Sequence, residues 1–295
     1  QRQMCIRDRD IRTLYHSNNC WTSLKRAAGR IAYKDDVITK RLEKGMANLL
    51  HHNTVSFLHF IELFIDGSKQ YLDTKNYKYA LMLYYALFQD RLDKTGFASI
   101  YEALELIHKE MYSYFKQEIS EIISYLLAHL QLKTMPLGED VLPGLELYGC
   151  YTREEIFTLV GRQTEARKMQ GSVTGVFNLS ECNATLLFVT LNKSDKDFSP
   201  STQYNDYFIN EHYFHWQSQN TDSHQNNGGQ RYTKQADTQN KIILFVREEK
   251  KDGYGNTCPF HCFGLVEYMS SHDDFPMNIT WKLQQPAMAQ YVKAI

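Results

Sequence analysis

Met135-Pro-Leu-Gly-Glu-Asp-Val-Leu-Pro-Gly144 is where this chain of 295 residues changes texture. Its two prolines and two glycines within ten residues interrupt any regular element, because proline lacks an amide donor and glycine is the residue most costly to order. The stretch, taken as residues 135–150, reads as a linker between two differently built halves.

Toward the N-terminus the pattern is helical, with apolar residues returning every three or four positions between about residues 11 and 132. Val55, Leu58, Ile61, Phe64 and Ile65 form one stripe, behind a cap expected at Asn53. Tyr79, Leu83, Ala86 and Leu87 form a second, and Ile100, Leu104 and Ile107 a third. Met111, Phe115, Ile119, Ile122, Leu126 and Leu130 form a longer fourth. Gly67 and Gly96 fall between stripes, where turns belong. An all-α bundle of about four or five helices is expected over residues 10–134.

Toward the C-terminus, Thr152 and Glu155 have the spacing of a capping box, which opens a short helix at the start of the second domain, 151–295. Apolar and β-branched runs follow at 175–177, 184–191, 213–219, 241–247, 260–268 and 278–283, separated by polar turns. Their uneven spacing, without a strand–helix–strand rhythm, argues against a parallel Rossmann-type sheet. The expectation is a mixed, mainly antiparallel curved β-sheet or partial barrel with flanking helices, and the fold class is α+β.

Composition excludes several function classes. With 33 Lys and Arg against 34 Asp and Glu, the formal charge is −1, so any nucleic-acid binding must rest on a few placed groups. The six cysteines, Cys5, Cys20, Cys150, Cys182, Cys258 and Cys262, contain no C-x-x-C pair, which points to a reducing cytoplasm over a disulfide framework. The longest purely apolar run, from Tyr79 to Phe88, is about half a membrane span, and no signal-peptide pattern opens the chain, so no membrane partner is expected. Residues 1–9 resemble translated adapter sequence and are set aside. A chain that begins with Gln1 is expected to be the C-terminal piece of something longer.

No G-x-x-x-x-G-K-[ST], H-x-K, G-x-S-x-G or H-E-x-x-H occurs, so neither a P-loop motor nor a common hydrolase is expected here, and no cofactor. Glu248-Glu-Lys-Lys251, with Asp237 upstream, has the residue types of a metal-dependent nuclease, but a solvated strand end is the preferred reading. Cys258-Pro-Phe-His261-Cys262 offers ligand types. On a strand, however, its two cysteines stand ~13 Å apart with His261 on the opposite face, so no shared metal is expected.

The densest collection of binding groups runs from Thr190 to Asp206, continuing through Phe214-His-Trp-Gln-Ser-Gln219 and Gly229-Gln-Arg-Tyr232. As a strand, 214–219 places Phe214, Trp216 and Ser218 on one face and His215, Gln217 and Gln219 on the other. At these residues the chain resembles the C-terminal domain of unknown function that follows the motor of many bacterial superfamily II DEAD/DEAH-type helicases. The matching words are Thr190-Leu-Asn-Lys193, Phe198-Ser-Pro-Ser-Thr-Gln-Tyr-Asn-Asp206, Phe214-His-Trp-Gln-Ser-Gln219 and Gly229-Gln-Arg-Tyr232. Leu244-Phe-Val-Arg-Glu248, Phe263-Gly-Leu-Val-Glu-Tyr268 and Pro276-Met-Asn-Ile-Thr-Trp-Lys-Leu283 continue the series in order.

That resemblance implies a covalently linked helicase motor and phospholipase-D-like nuclease in the parent protein, with ATP and Mg needed only there. It also implies an SRA-like, base-flipping fold and a role in modification-dependent restriction or phage defence, reading double-stranded DNA that carries modified cytosine. A reader of this kind extrudes the base and stacks it on aromatics. Tyr204, Trp216 and Tyr232 are the candidate rings, with Asn205, Asp206, His215 and Gln217 for the base pocket. Lys193, Ser199, Thr202 and Arg231 are the candidate phosphate-binding groups. The competing expectation is a protein-interaction module that couples helicase and nuclease without base readout, and a metal-dependent nuclease ranks last.

Overall fold

The structure, a computed structural model, describes residues 11–138, 141–169, 174–193 and 205–292. It divides into two compact units: one is Gln1–Lys133 with Glu154–Gln170, the other Thr134–Arg153 with Gly171–Ile295. Among the described residues no helix is long and apolar enough to cross a membrane.

Among the described residues, seven α-helices precede the sheet: α1 Trp21–Ala27, α2 Val37–Ala47, α3 Val55–Ile65, α4 Tyr77–Phe88, α5 Leu92–Thr95, α6 Ile100–Glu105 and α7 Ser113–Ala128. The four stripes fall on α3, α4, α6 and α7; α1 and α5 are too short to show one, and α2 was not among them. Helix α4 is buried on every side from Ala80 to Phe88, the pattern of a central helix. Its neighbour α2 comes so close at Gly45 that an added Cβ would lie 2.6 Å from Leu87 Cα. Thr54, not Asn53, immediately precedes α3, and its own side chain makes no capping bond; burial of Phe57, Leu58, Phe60, Ile61, Phe64 and Ile65 holds that helix. The first amides of α1 are satisfied from a distance, because the buried Glu118 carboxylate of α7 accepts from Trp21 N at 2.7 Å and Thr22 N at 2.8 Å. Helix α8, Arg153–Leu159, was expected to open the second domain, yet from Glu154 onward it clusters with the helical unit.

The sheet unit begins inside the expected linker. β1 Met135–Pro136 pairs antiparallel with β2 Glu146–Leu147, and β3 Cys150–Tyr151 adds to β9 Phe260–His272. Val141, Leu142 and Leu145 are buried, so the Pro- and Gly-rich segment turns back on itself and packs. The remaining strands are β4 Val176–Leu179, β5 Ala184–Asn192, β6 Tyr207–Phe208, β7 Tyr213–Gln217, β8 Lys241–Glu249 and β10 Asn278–Leu283. They complete an eight-stranded sheet ordered β4-β5-β8-β9-β10-β7-β6, with β3 beside β9. Only β5 and β8 run parallel. The sheet is not closed, short β4 and β6 ending opposite edges, and the expected α+β class with a mixed, mainly antiparallel sheet holds.

Burial divides this sheet into two halves, and the division places the site. β5 and β8 are buried on both faces along most of their length, as near-continuous apolar runs require. β7 and β10 alternate strictly, with Phe214, Trp216, Ile279, Trp281 and Leu283 inward. Helix α9 Asn227–Thr233 contributes Tyr232 to this interior, and the short α10 Gln235–Thr238 follows it. Where β9 runs past the end of β8, the Gln235 side chain donates to Val266 O and accepts from Tyr268 N, standing in for the missing strand.

Candidate functional site

The outward face of β7, β10 and the far half of β9 is polar because period two sends every second residue to water. Register pairs His215 with Thr280 and Gln217 with Asn278, and sets Thr280 against Ser270 and Asn278 against His272. On the edge strand, Tyr207 pairs with His215 and stacks on its imidazole, ring centroids 4.7 Å apart and planes 13° from parallel. Tyr207 is 43% exposed, so its outer ring face meets solvent.

The residues leading into β6 are tied to this face. His215 Nδ1 lies 2.8 Å from Asn205 O, and since a carbonyl only accepts, Nδ1 carries the hydrogen. Asn205 N donates to Gln217 Oε1 at 2.7 Å, and Gln217 Nε2 donates to Asn278 Oδ1 at 2.9 Å. Asn278 Nδ2 extends the chain of amides to Asp273 Oδ2 at 3.0 Å. Beneath lies Asp206, whose Oδ2 is 2.6 Å from Lys193 Nζ and whose Oδ1 accepts from Gln217 N at 2.9 Å. Burial pushes the Asp206 carboxyl above its ordinary range, against the opposing pull of the Lys193 ammonium and the Gln217 amide.

Lys193, Asn205, Asp206, His215 and Gln217 are thus brought together. Trp216 and Tyr232 are not among them. Both rings are buried, packed edge-on to each other at 5.2 Å and against Trp281, so neither offers an open stacking face. The Lys193 ammonium is committed to a nearly solvent-free ion pair, where the expectation was a phosphate contact. Arg231 stands on α9, where its charge acts on Asp222 instead of joining Lys193. Tyr204, Ser199 and Thr202 lie outside the described residues.

Two alternatives dissolve on geometry. Asp237 precedes β8 and Glu248 and Lys250 lie at its far end, a strand length of roughly 25 Å or more away. His261 and Cys262 are consecutive on β9 and face opposite ways; His261 Nδ1 is 2.6 Å from the Tyr291 hydroxyl, while burial pushes the Cys262 thiol up to about 12.

The sequence reading missed Tyr207, Asn278 and a relay beside them. His224 Nδ1 is 2.8 Å from Asp274 Oδ1, its Nε2 is 2.7 Å from Ser271 Oγ, and that hydroxyl is 2.7 Å from the Tyr268 hydroxyl. Donation from the His224 amide and ring holds the Asp274 carboxyl below its usual range. The relay ties the 218–226 loop to the β9–β10 hairpin, beside the Asn278–Asp273 end of the amide row. Only the strong alternation of β7 and β10 pointed toward this face in sequence.

The fold and this face define an α+β protein whose open mixed sheet is buried along one half and presents an aromatic and amide-rich surface along the other. The chain belongs to the DUF3427 family: the model of that domain of unknown function matches residues 145–294, from just before β2 through the last described residue. No curated protein matches it.

Proposed function

We propose that this chain is the DNA-reading part of a superfamily II helicase-type restriction or defence enzyme, and that it reads through the outward face of β6, β7 and β10. The observation that carries this reading is the exposed Tyr207 ring, backed flat by His215, with the Asn205 backbone and the side-chain amides of Gln217 and Asn278 on the same face. An aromatic held in one orientation stacks an extruded base at little entropic cost, and amides present both donor and acceptor to its edge. Tyr207 takes the stacking role the sequence had assigned to Trp216 and Tyr232. The helicase and nuclease association rests on the ordered sequence words of the resemblance, and in this reading ATP hydrolysis and strand cleavage belong to linked domains.

Fluorescence anisotropy of the full chain with short duplexes, with and without methylated cytosine and across a salt series, tests the proposal. Tighter binding to the modified duplex, lost in Tyr207→Ala, supports it. Equal binding to both duplexes removes base reading and leaves DNA contact alone. No binding at low salt assigns the face to a protein partner, the role a net charge of −1 accommodates more easily.

A further inference from the structure

We propose that His51, His52 and Glu155 of the helical unit form a binding site for a divalent transition-metal ion of the zinc class. His51 and His52 lie in the connection between α2 and α3, and Glu155 lies in the first turn of α8. Their ligand atoms are all within 4.8 Å of one another, in the one such grouping among the described residues. Each carboxylate oxygen faces one ring: His51 Nε2 is 2.9 Å from Oε2 and His52 Nε2 is 3.4 Å from Oε1. Two imidazoles and a carboxylate bound to zinc at about 2.0–2.2 Å in tetrahedral geometry stand about 3.4 Å apart, close to the two observed His–Glu spacings, and all the ligand atoms lie within 4.8 Å of one another.

The second observation is the state of His52. Its side chain has no solvent exposure, and neither ring nitrogen makes a hydrogen bond, although Nε2 lies 3.4 Å from a Glu155 carboxylate oxygen. A buried imidazole is ordinarily satisfied on at least one side. A cation between Nε2, His51 and Glu155 would satisfy it. Stacking fixes the imidazoles: the His51 and His52 rings are 4.1 Å apart, and Phe57 meets the His52 ring edge-on at 4.6 Å. Nitrogen and oxygen donors in this ratio suit zinc, cobalt or iron(II) over calcium or magnesium, which prefer all-oxygen shells. Three protein ligands leave one position for water. The site would staple the α2–α3 connection to α8, two segments separated by about a hundred residues, and it does not depend on the DNA-reading proposal.

The test uses the full chain, stripped with chelator and titrated with Co2+ and then Zn2+. Wild type is expected to bind about one Co2+ with the intense visible bands of a four-coordinate site and to exchange it for Zn2+ with a rise in Tm. Glu155→Gln and His51→Gln keep side-chain size and are expected to weaken binding by roughly tenfold or more. A Cys258→Ser, Cys262→Ser double variant is expected to bind as wild type. A folded wild-type chain that takes up no Co2+, or glutamine variants that bind it as wild type does, would overturn the proposal. If Glu155→Gln fails to fold, the more exposed His51→Gln decides the matter alone.

Discussion

The Lys193 ammonium and the Asp206 carboxylate meet at 2.6 Å with side-chain exposures of only 8% and 3%. Lys193 follows the last residue of β5 and Asp206 precedes the first of β6, so the pair joins the strand leaving the buried half of the sheet to the strand bordering the exposed half. Removing one member strands the other in a site poor in water. Lys193→Met is expected to cost about 3 kcal/mol, while a Lys193→Met, Asp206→Leu double variant recovers much of that, because the pair's own desolvation disappears with it. Urea denaturation of the two variants measures this. A Lys193→Met variant that unfolds at the wild-type midpoint would show that the pair carries no stability.

The same carboxyl gives the sheet unit a pH dependence whose sign follows from its raised position. An unfolded aspartate loses its proton near pH 3.9, whereas burial makes folded Asp206 hold its proton to higher pH. Between those points the native state binds a proton that the unfolded chain has released, so Asp206 makes stability fall as pH rises, with a slope of at most about 1.4 kcal/mol per pH unit. Asp206→Asn cannot titrate. The wild-type minus Asp206→Asn difference in urea midpoint should therefore decline with rising pH above about 4, and parallel profiles would mean that the carboxyl is not raised.

Helix α2 meets α4 at Gly45, where a methyl group would lie 2.6 Å from Leu87 Cα, 2.8 Å from Leu87 O and 2.9 Å from Ala86 O. Backbone cannot rotate aside as a side chain does. Gly45→Ala gains about 1 kcal/mol of helix propensity but forces the two helices apart, and a net loss of about 1–3 kcal/mol is expected. Thermal unfolding followed by helical circular dichroism measures it, and an increase in Tm would show that α2 can shift at no cost.

How much of this was legible in sequence depended on whether the signal was local. The long stripes under α3, α4 and α7 and the contrast between the uniform β5 and β8 and the alternating β7 and β10 are periodicities, and periodicity gave the α+β class and the face that carries His215 and Gln217. The stretch 135–150 was misread because Pro and Gly mark a chain reversal in a packed ribbon as well as they mark a linker. Trp216 was assigned to the pocket by residue type, although its own period placed it with Phe214 inside. Asn278, Tyr207 and the His224 relay depend on strand register and on a hairpin, which pair residues from distant parts of the chain. His51, His52 and Glu155 meet across 104 and 103 positions, where no spacing rule reaches.

The positions of Tyr207 and Trp216 yield the sharpest separation of stability from recognition. Trp216 is 4% exposed and touches Tyr232 and Trp281, so Trp216→Ala opens a large cavity and is expected to cost about 3–5 kcal/mol; any loss of DNA binding that it causes reports unfolding. Tyr207 is 43% exposed on a two-residue edge strand and loses its stack on His215 when truncated, so Tyr207→Ala is expected to cost about 1 kcal/mol or less. Urea midpoints and duplex anisotropy on both variants, at a temperature where each is folded, distinguish the roles. Loss of modified-base preference in Tyr207→Ala with its midpoint little changed places recognition on the outward face. Preference retained in Tyr207→Ala but lost in a still-folded Trp216→Ala would move the pocket to the interior side of β7, contrary to the burial pattern of that strand.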